Sequence, residues 1–272
     1  MIFHQPTNSD ADVFNAFLYR EIDYGAHFHR GCEILIVLKG VQKAVAGGKR
    51  YEVKTGEALF LCPYELHSYE PSAGAITFAI VFSGAYAEAF SSRHENETPA
   101  KSLFTIPRET LGFVLSKFFG AGEAETVAAL FDHEERGRLS APEIDGLTVR
   151  ACLYALLAEF EKNAVYVKSE RDDEFTYSAI DYVEKNFRAD ISVATLANAL
   201  GYSYDYVSRL FAARFGIRFS SLVNRYRAEE AAKLMDSERV TATEAAMRSG
   251  FKSIRSFNRI FKSLLGRTPT GR

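Results

Sequence analysis

Polar side chains near the C-terminal end stand at spacings that suit recognition of a polyanion. At about 3.6 residues per turn, Val207, Leu210 and Phe211 take the inner side of one helix and leave Tyr204, Asp205, Ser208, Arg209 and Ala212 outward. The same rule leaves Ile254, Arg255, Asn258, Arg259 and Lys262 outward on a second helix, with Ser256 beside them. Arginine can pair with guanine through two hydrogen bonds, and asparagine can do the same with adenine. Arg209, Arg255, Arg259 and Asn258 therefore have the chemistry to read bases. The arginines could equally clamp phosphates, because most such contacts position a protein rather than specify a sequence. Asp205 repels phosphate and can only accept from a base such as cytosine. Lys252, Lys262, Arg214, Arg218 and Arg248 suit phosphate.

The elements that must carry these residues occur twice. With Gly216 aligned on Gly266, Phe211 falls on Phe261, Leu210 on Ile260, Arg209 on Arg259 and Val207 on Phe257. Gly201 and Tyr202 match Gly250 and Phe251 at an offset shorter by one. In the first copy Ser192 caps a short helix whose inner face is Leu196, Ala197 and Leu200; Gly201 turns the chain and Ser203 caps the next helix. In the second, Thr241 and Glu244 form a capping box, Gly250 turns the chain and Ser253 caps. Two short helices joined by a tight glycine turn form a helix-turn-helix. Between the copies Phe219–Met235 reads as an amphipathic helix of 17 residues, able to hold the second helices at neighbouring major grooves.

These segments resemble the DNA-binding region of AraC/XylS-type transcription regulators: LANALGYS (196–203), SRLF (208–211), RAEEAAKLM (227–235), GFKSIRSFNRIFK (250–262) and GRTP (266–269). Ala245 departs from the larger aliphatic usual there, and Ser256 from a common aromatic. The resemblance spans about 100 residues and both repeats. It implies base or backbone contact at Asp205, Ser208, Arg209, Arg255, Ser256 and Arg259; helix geometry adds Asn258 and Lys262. Double-stranded promoter DNA is the implied partner, with RNA polymerase a further candidate.

The front of the chain reads as closely spaced strands from Glu33 to Phe82, with Gly47-Gly48 as a two-residue hairpin turn. That pattern points to an antiparallel sandwich or barrel. Ser91–Ser102 reads as a loop, Glu109–Phe119 and Ala124–Phe131 as helices, and Leu147–Lys162 as a helix with Leu147, Arg150, Leu153, Tyr154, Leu157 and Phe160 at helical spacing. His27, His29, Glu33 and Gly40, then Gly56–Pro63 and His67, resemble the two motifs of the cupin barrel. In metal-binding members of that fold the matching His-x-His, Glu and later His hold a divalent ion, and imidazole and carboxylate ligands suit zinc, iron, nickel or manganese. Sensory cupins of AraC-type regulators keep similar residues in a pocket for a small organic effector; here Tyr24, His27, His29, Glu33, Tyr64, His67 and Tyr69 would line it. No cofactor is expected, a divalent metal at His27, His29, Glu33 and His67 being the alternative.

Composition divides the chain in the same place. The net charge of −2 conceals 17 Lys+Arg against 26 Asp+Glu in residues 1–174 (−9) and 16 against 9 in residues 175–272 (+7). A basic back half invites a polyanion and an acidic front half does not. The expected organisation is a mixed fold. Residues 1–167 form an antiparallel cupin or jelly-roll β-barrel with helices, for effector binding and dimerisation. Residues 168–174 are a linker, and residues 175–272 form an all-α domain with two helix-turn-helix units. Cys32, Cys62 and Cys152 are too scattered for a disulfide framework and read as small buried residues. With no secretory signal and no apolar run of bilayer length, a cytoplasmic location and no membrane partner are expected. The function expected is effector-responsive transcription regulation by a homodimer, paired through the Leu147–Lys162 helix, and not an enzyme. Two rivals stand: a metallo-cupin enzyme with a DNA-binding tail, and a ligand-independent regulator whose cupin only dimerises.

Overall fold

The unbroken apolar run Ile34–Leu38 is explained by a sheet covered on both faces. A computed structural model describes residues 3–4, 13–94, 97–132, 137–168, 171–215, 217–265 and 267–269. Gly216, Gly266 and the linker residues Ser169 and Glu170 lie outside the described residues, as does the side chain of Arg214. The chain divides into two compact units whose main parts are Thr7–Ser169 and Glu170–Arg272. In the first, the strands are β1 (Phe14–Arg20), β2 (Tyr24–Phe28), β3 (Cys32–Lys39), β4 (Val41–Ala46), β5 (Lys49–Lys54), β6 (Glu57–Leu61), β7 (His67–Glu70), β8 (Ile76–Phe82), β9 (Glu97–Pro99), β10 (Leu103–Thr105), β11 (Arg138–Ser140) and β12 (Tyr166–Lys168).

Six of these make one antiparallel sheet in the order β10-β6-β3-β8-β1-β11, and a second sheet contains β2-β7-β4-β5. Successive side chains of a strand point to opposite faces. From β3, Leu35 and Val37 therefore enter the space between the sheets with Ala44, Ala46, Val53, Leu59 and Leu61. Ile34, Ile36 and Leu38 point the other way, packing with Phe60, Phe78, Ile80 and Phe82 beneath helices. Glu33 has the parity of Leu35, so the alternation that builds the core also sends one carboxylate into it. The hairpin at Gly47-Gly48 has both φ values positive (54° and 76°), as its two-residue turn requires.

The covering helices are α1 (Glu88–Arg93), α2 (Arg108–Phe119), α3 (Ala124–Ala128) and α4 (Gly146–Glu161). The Asp145 carboxylate caps α4, accepting from the backbone N–H groups of Leu147 and Thr148 at 3.0 Å each. Spacing alone merged two faces of this helix. Leu153, Leu157 and Phe160 are buried, while Leu147 is 80% and Tyr154 38% exposed. The segment read as a loop, Ser91–Ser102, instead finishes α1 and contributes β9, which pairs with β12. Its polar composition reflects a two-stranded ribbon that buries little. All three cysteines are free, Cys32 and Cys152 buried and Cys62 half-buried.

The second unit is helical: α5 (Arg171–Asn186), α6 (Val193–Leu200), α7 (Tyr204–Phe215), α8 (Phe219–Glu238), α9 (Ala242–Arg248) and α10 (Ile254–Leu265). The expected linker is shorter than its charge suggested. Lys168 still belongs to β12 and Arg171–Glu174 to α5, because charged residues propagate a helix well when the following residues bury a face. Ser192 caps α6 in a reciprocal box with Thr195, and Gly201 ends it in the left-handed conformation (φ 72°). At α9 only the threonine half of the expected box forms: Thr241 accepts from Glu244 N, while the Glu244 carboxylate lies 4.0 Å from Arg248. Helix α8 spans 20 residues, about 30 Å, three residues longer than the apolar pattern suggested. Its Ala228, Ala231 and Leu234 pack with Ala245, Ala246, Phe251, Phe257 and Phe261 of the second copy. Among the described residues no helix is long and apolar enough to cross a membrane.

Candidate ligand site and nucleic-acid interface

Between the two sheets, β2, β3 and β7 bring His27, His29, Glu33 and His67 together, all four buried. One donor atom from each lies within 4.8 Å of all the others. The rings are aimed by the backbone: Nδ1 of His27, His29 and His67 faces the carbonyls of Gly25 (2.9 Å), Gly31 (2.9 Å) and Glu65 (2.7 Å). A carbonyl can only accept, so each Nδ1 donates to it and each Nε2 is left as the nitrogen available to the cluster. His29 Nε2 and His67 Nε2 lie 3.0 and 3.5 Å from Glu33 Oε2. The other oxygen, Oε1, accepts from the Tyr69 hydroxyl at 2.5 Å.

Burial holds the imidazoles of His27 and His29 below the ordinary histidine range, for His27 with the help of the neighbouring imidazoles. For His67 burial also disfavours the charge, but the Glu33 carboxylate outweighs it and raises the group. Burial would raise Glu33, yet the adjacent imidazoles of His29 and His67 hold it well below the usual carboxylate range. Burial, then Glu33 itself, lifts the Tyr69 phenol well above its ordinary value. These directions favour an ionised Glu33 and neutral His27 and His29, the forms in which such groups can ligate a metal, while His67 is shifted the other way by Glu33. His67 Nε2 is a buried polar atom without a well-formed hydrogen bond, as an unfilled ligand position would be. The donor set therefore fits a divalent transition metal.

Six of the seven residues expected to line a pocket meet here through side chains. Tyr24 stands edge-on to His27 with ring centroids 4.6 Å apart, and His27 and His67 are 4.1 Å apart. Tyr64 is tied in through its backbone, donating to the His29 carbonyl at 2.7 Å from a left-handed conformation (φ 59°). Sequence reasoning did not find the orienting carbonyls, which leave no mark in residue type, or the bond between Tyr69 and Glu33, which spans 36 residues. It also missed a cavity of about 400 Å³ between α1 and α4, lined by Phe90, Tyr154, Leu157 and Ala158 with Arg93, Glu161 and Lys162 beside them, Arg93 paired with Glu161.

In the second unit Val207 and Phe211 of α7, and Phe257 and Phe261 of α10, are buried. Asp205, Arg209, Arg255, Asn258, Arg259 and Lys262 are exposed, with Ser208 and Ser256 half-buried beside them. Arg209 Nε donates back to the Asp205 carbonyl at 3.3 Å. Two residues expected to meet phosphate are engaged internally. Lys252 pairs with Asp190 at 2.6 Å, and Arg248 holds both Glu238 oxygens at 2.7 and 3.1 Å. Lys252 belongs to a brace in which Arg227 donates to the carbonyls of Phe187 and Ala189, both at 2.7 Å, and Gly250 packs against the Arg188 backbone. The second turn is thereby seated on the loop between α5 and α6.

Comparison with known proteins agrees with both units. The family model described as an AraC-like ligand binding domain matches residues 18–133, and one described as a helix-turn-helix domain matches residues 196–271. An uncharacterized HTH-type transcriptional regulator of Staphylococcus aureus strain MRSA252 is 27% identical over 146 residues, which are 54% of this chain and 19% of that protein. The chain thus spans about a fifth of the length of that relative. The uncharacterized HTH-type transcriptional regulator YfiF of Bacillus subtilis strain 168 is 25% identical over 248 residues, 89% of this chain and 76% of its own. Among solved structures, ToxT of Vibrio cholerae strain SCE256 with a bound unsaturated fatty acid aligns at a TM-score of 0.56 and 15% identity, covering 96% of this chain and 95% of that one. That likeness shows a shared fold. The two family matches together cover well over half of the sequence, and the chain belongs to the AraC-type family of helix-turn-helix transcription regulators, with an AraC-like ligand binding domain ahead of its helix-turn-helix domain.

Proposed function

We propose that the chain regulates promoters by sequence-specific binding of double-stranded DNA, and that it takes its signal at the buried imidazole–carboxylate cluster. Residues 1–167 are the sensing and dimerising part and 175–272 the DNA-binding part, with the boundary falling within 168–174. In this reading the protein works in the cytoplasm without a reaction of its own, with RNA polymerase as a partner at the promoter. Asp205, Ser208, Arg209, Arg255, Ser256, Asn258, Arg259 and Lys262 meet the duplex; their support is a polar, solvent-facing surface over buried Val207, Phe211, Phe257 and Phe261. The outer face of α4, with Leu147 and Tyr154, supports pairing into a homodimer.

The signal site is supported by one observation: three imidazole nitrogens and a carboxylate oxygen converge in the core with their outer nitrogens turned to backbone carbonyls. His27, His29, Glu33 and His67 would hold a divalent transition metal, which would offer a Lewis-acidic point for a polar effector group. Tyr24, Tyr64 and Tyr69 would bound the effector. A second reading places the effector in the cavity between α1 and α4. Its apolar lining suits a hydrocarbon chain such as that of the fatty acid named for the ToxT structure, and a ligand carboxylate there would compete with Glu161 for Arg93 and with Glu159 for Lys162.

Metal analysis of tag-free protein, with thermal unfolding before and after chelation, tests the first reading. About one metal per chain is expected, falling to background in Glu33→Gln, with a lower melting temperature in chelator for wild type only. Protein that takes up no zinc, iron, nickel or manganese, yet is stabilised by oleate, would transfer the sensing role to the second cavity. A ligand at 100 times its Kd stabilises by about 2.7 kcal/mol, well within reach of this measurement.

A further inference from the structure

The two DNA-facing helices are built alike and charged differently. Both span 12 residues. Each is capped by a serine hydroxyl, Ser203 accepting from Tyr206 N and Ser253 from Ser256 N, both at 3.3 Å. Each buries its fourth and eighth residues, Val207 and Phe211 in α7, Phe257 and Phe261 in α10. The matched register allows a position-by-position comparison. Where α10 presents Arg255, Arg259 and Lys262, α7 presents Asp205, Arg209 and Ala212, all exposed. The first set carries three positive charges and the second none in balance. Among the described residues Arg255, Arg259 and Lys262 have no ion-pair partner in the protein, so their full charge is available to phosphate.

At its start α7 carries Tyr204 and Tyr206 on either side of Asp205, where α10 has Ile254 and Ser256 around Arg255. Tyr204 is 55% exposed and Tyr206 40%, the latter packed on Tyr202 with ring centroids 5.1 Å apart. A carboxylate turned toward a duplex is repelled by both phosphate chains. It is tolerated where its oxygens accept from an exposed base amino group, and cytosine N4 offers one in the major groove. An anion between tyrosines is therefore poor at gripping DNA and effective at rejecting sequences that lack the amino group, since wrong partners are penalised by repulsion.

We propose that the two units divide the work: α10 grips the duplex by charge, and α7 discriminates sequence, with Asp205 selecting a cytosine amino group and Tyr204 and Tyr206 flanking it. The inference rests on DNA binding by both units. Each cation that neutralises a phosphate adds about 0.9 to the slope of log affinity against log salt. Removing α10 charges should therefore flatten the slope, whereas removing Asp205 should change base preference.

The test uses the full chain and duplexes selected by it from a random-sequence library, with affinity measured by fluorescence anisotropy from about 50 to 300 mM KCl, a range over which phosphate contacts weaken strongly. The triple variant Arg255→Ala, Arg259→Ala, Lys262→Ala should lower the slope by between about 2 and 3, and Arg209→Ala by no more than about 1. Asp205→Ala should leave the slope unchanged and erase preference at one base pair by about 5- to 150-fold. These side chains are exposed, and a melting temperature equal to wild type for each variant verifies the fold. The proposal is overturned if Asp205→Ala selects the same bases as wild type, or if Arg209→Ala loses as much slope as the triple variant. It is equally overturned if wild type binds with the expected salt dependence but enriches no base at any position.

Discussion

Tyr69 shows how one hydroxyl can decide the geometry of a buried charge. Its bond to Glu33 Oε1 leaves Oε2 directed at His29 and His67, so the carboxylate is held from both sides. A hydrogen bond to a charged buried group contributes about 1.5–3 kcal/mol. Tyr69→Phe should therefore lower the free energy of unfolding by roughly that amount in urea denaturation, with the fold retained because the ring stays in place. Orienting partners also tune metal affinity, and their loss weakens it by about 10- to 100-fold. Cobalt titration of the same variant should show that weakening, and an unchanged affinity would mean that Tyr69 positions nothing. The histidines were legible as residues that suit a metal, because His-x-His and Glu on adjoining elements is a pattern of residue types. Their actual meeting depends on β2 and β7 pairing, with His27 opposite His67, which no local pattern announces.

The helix-turn-helix copies show the opposite balance, since nearly everything that builds them is local. Ser192, Gly201, Thr241 and Gly250 mark caps and turns, and Val207, Phe211, Phe257 and Phe261 mark inner faces. The two turn glycines nonetheless have different jobs. At Gly201 (φ 72°) an added Cβ meets nothing within 4 Å, whereas at Gly250 (φ 92°) it would stand 2.5 Å from the Arg188 carbonyl oxygen. Gly201→Ala should cost only the left-handed conformation, about 1–2 kcal/mol. Gly250→Ala should cost more, because two backbone segments must separate and the Lys252–Asp190 pair with them. Thermal unfolding of the isolated substitutions in the full chain checks this: Gly250→Ala should melt several degrees below Gly201→Ala. Equal melting temperatures would show that the brace is loose. Lys252 and Arg248, expected to meet phosphate, show a related limit. Sequence shows that a residue is basic, but only packing shows that Asp190 and Glu238 have already engaged it.

Across the chain, the charge separation of −9 and +7 places the polyanion-binding surface on one unit and leaves the other free for sensing and pairing. Pairing is proposed for the outer face of α4, where Leu147 is 80% and Tyr154 38% exposed while Leu153, Leu157 and Phe160 fill the core. Leu147→Glu should shift the protein from dimer to monomer in sedimentation velocity, with Tyr154 left in place because its hydroxyl accepts from Ala89 N at 3.1 Å. A dimer that survives this substitution would move the interface elsewhere. Sequence periodicity found this helix but blended two faces, because the six residues at helical spacing form a stripe of about 140° that runs from the buried side (Leu153, Leu157, Phe160) into the exposed one (Leu147, Arg150, Tyr154).

What the amino-acid order determined by itself is therefore the set of elements and the class of partner. Alternation, helical period, caps, turn glycines and the segregation of charge are local, and they sufficed to place a strand-rich unit before a pair of helix-turn-helix motifs. Tertiary structure decided which of those residues act together. It buried Glu33 among three imidazoles, set Lys252 and Arg248 beside Asp190 and Glu238, split the faces of α4, and left Arg255, Arg259 and Lys262 of α10 exposed. The reason is physical: the chemistry of a side chain is set by how much water it keeps and which groups replace the rest. Both depend on residues far apart in the chain that meet only once it has folded.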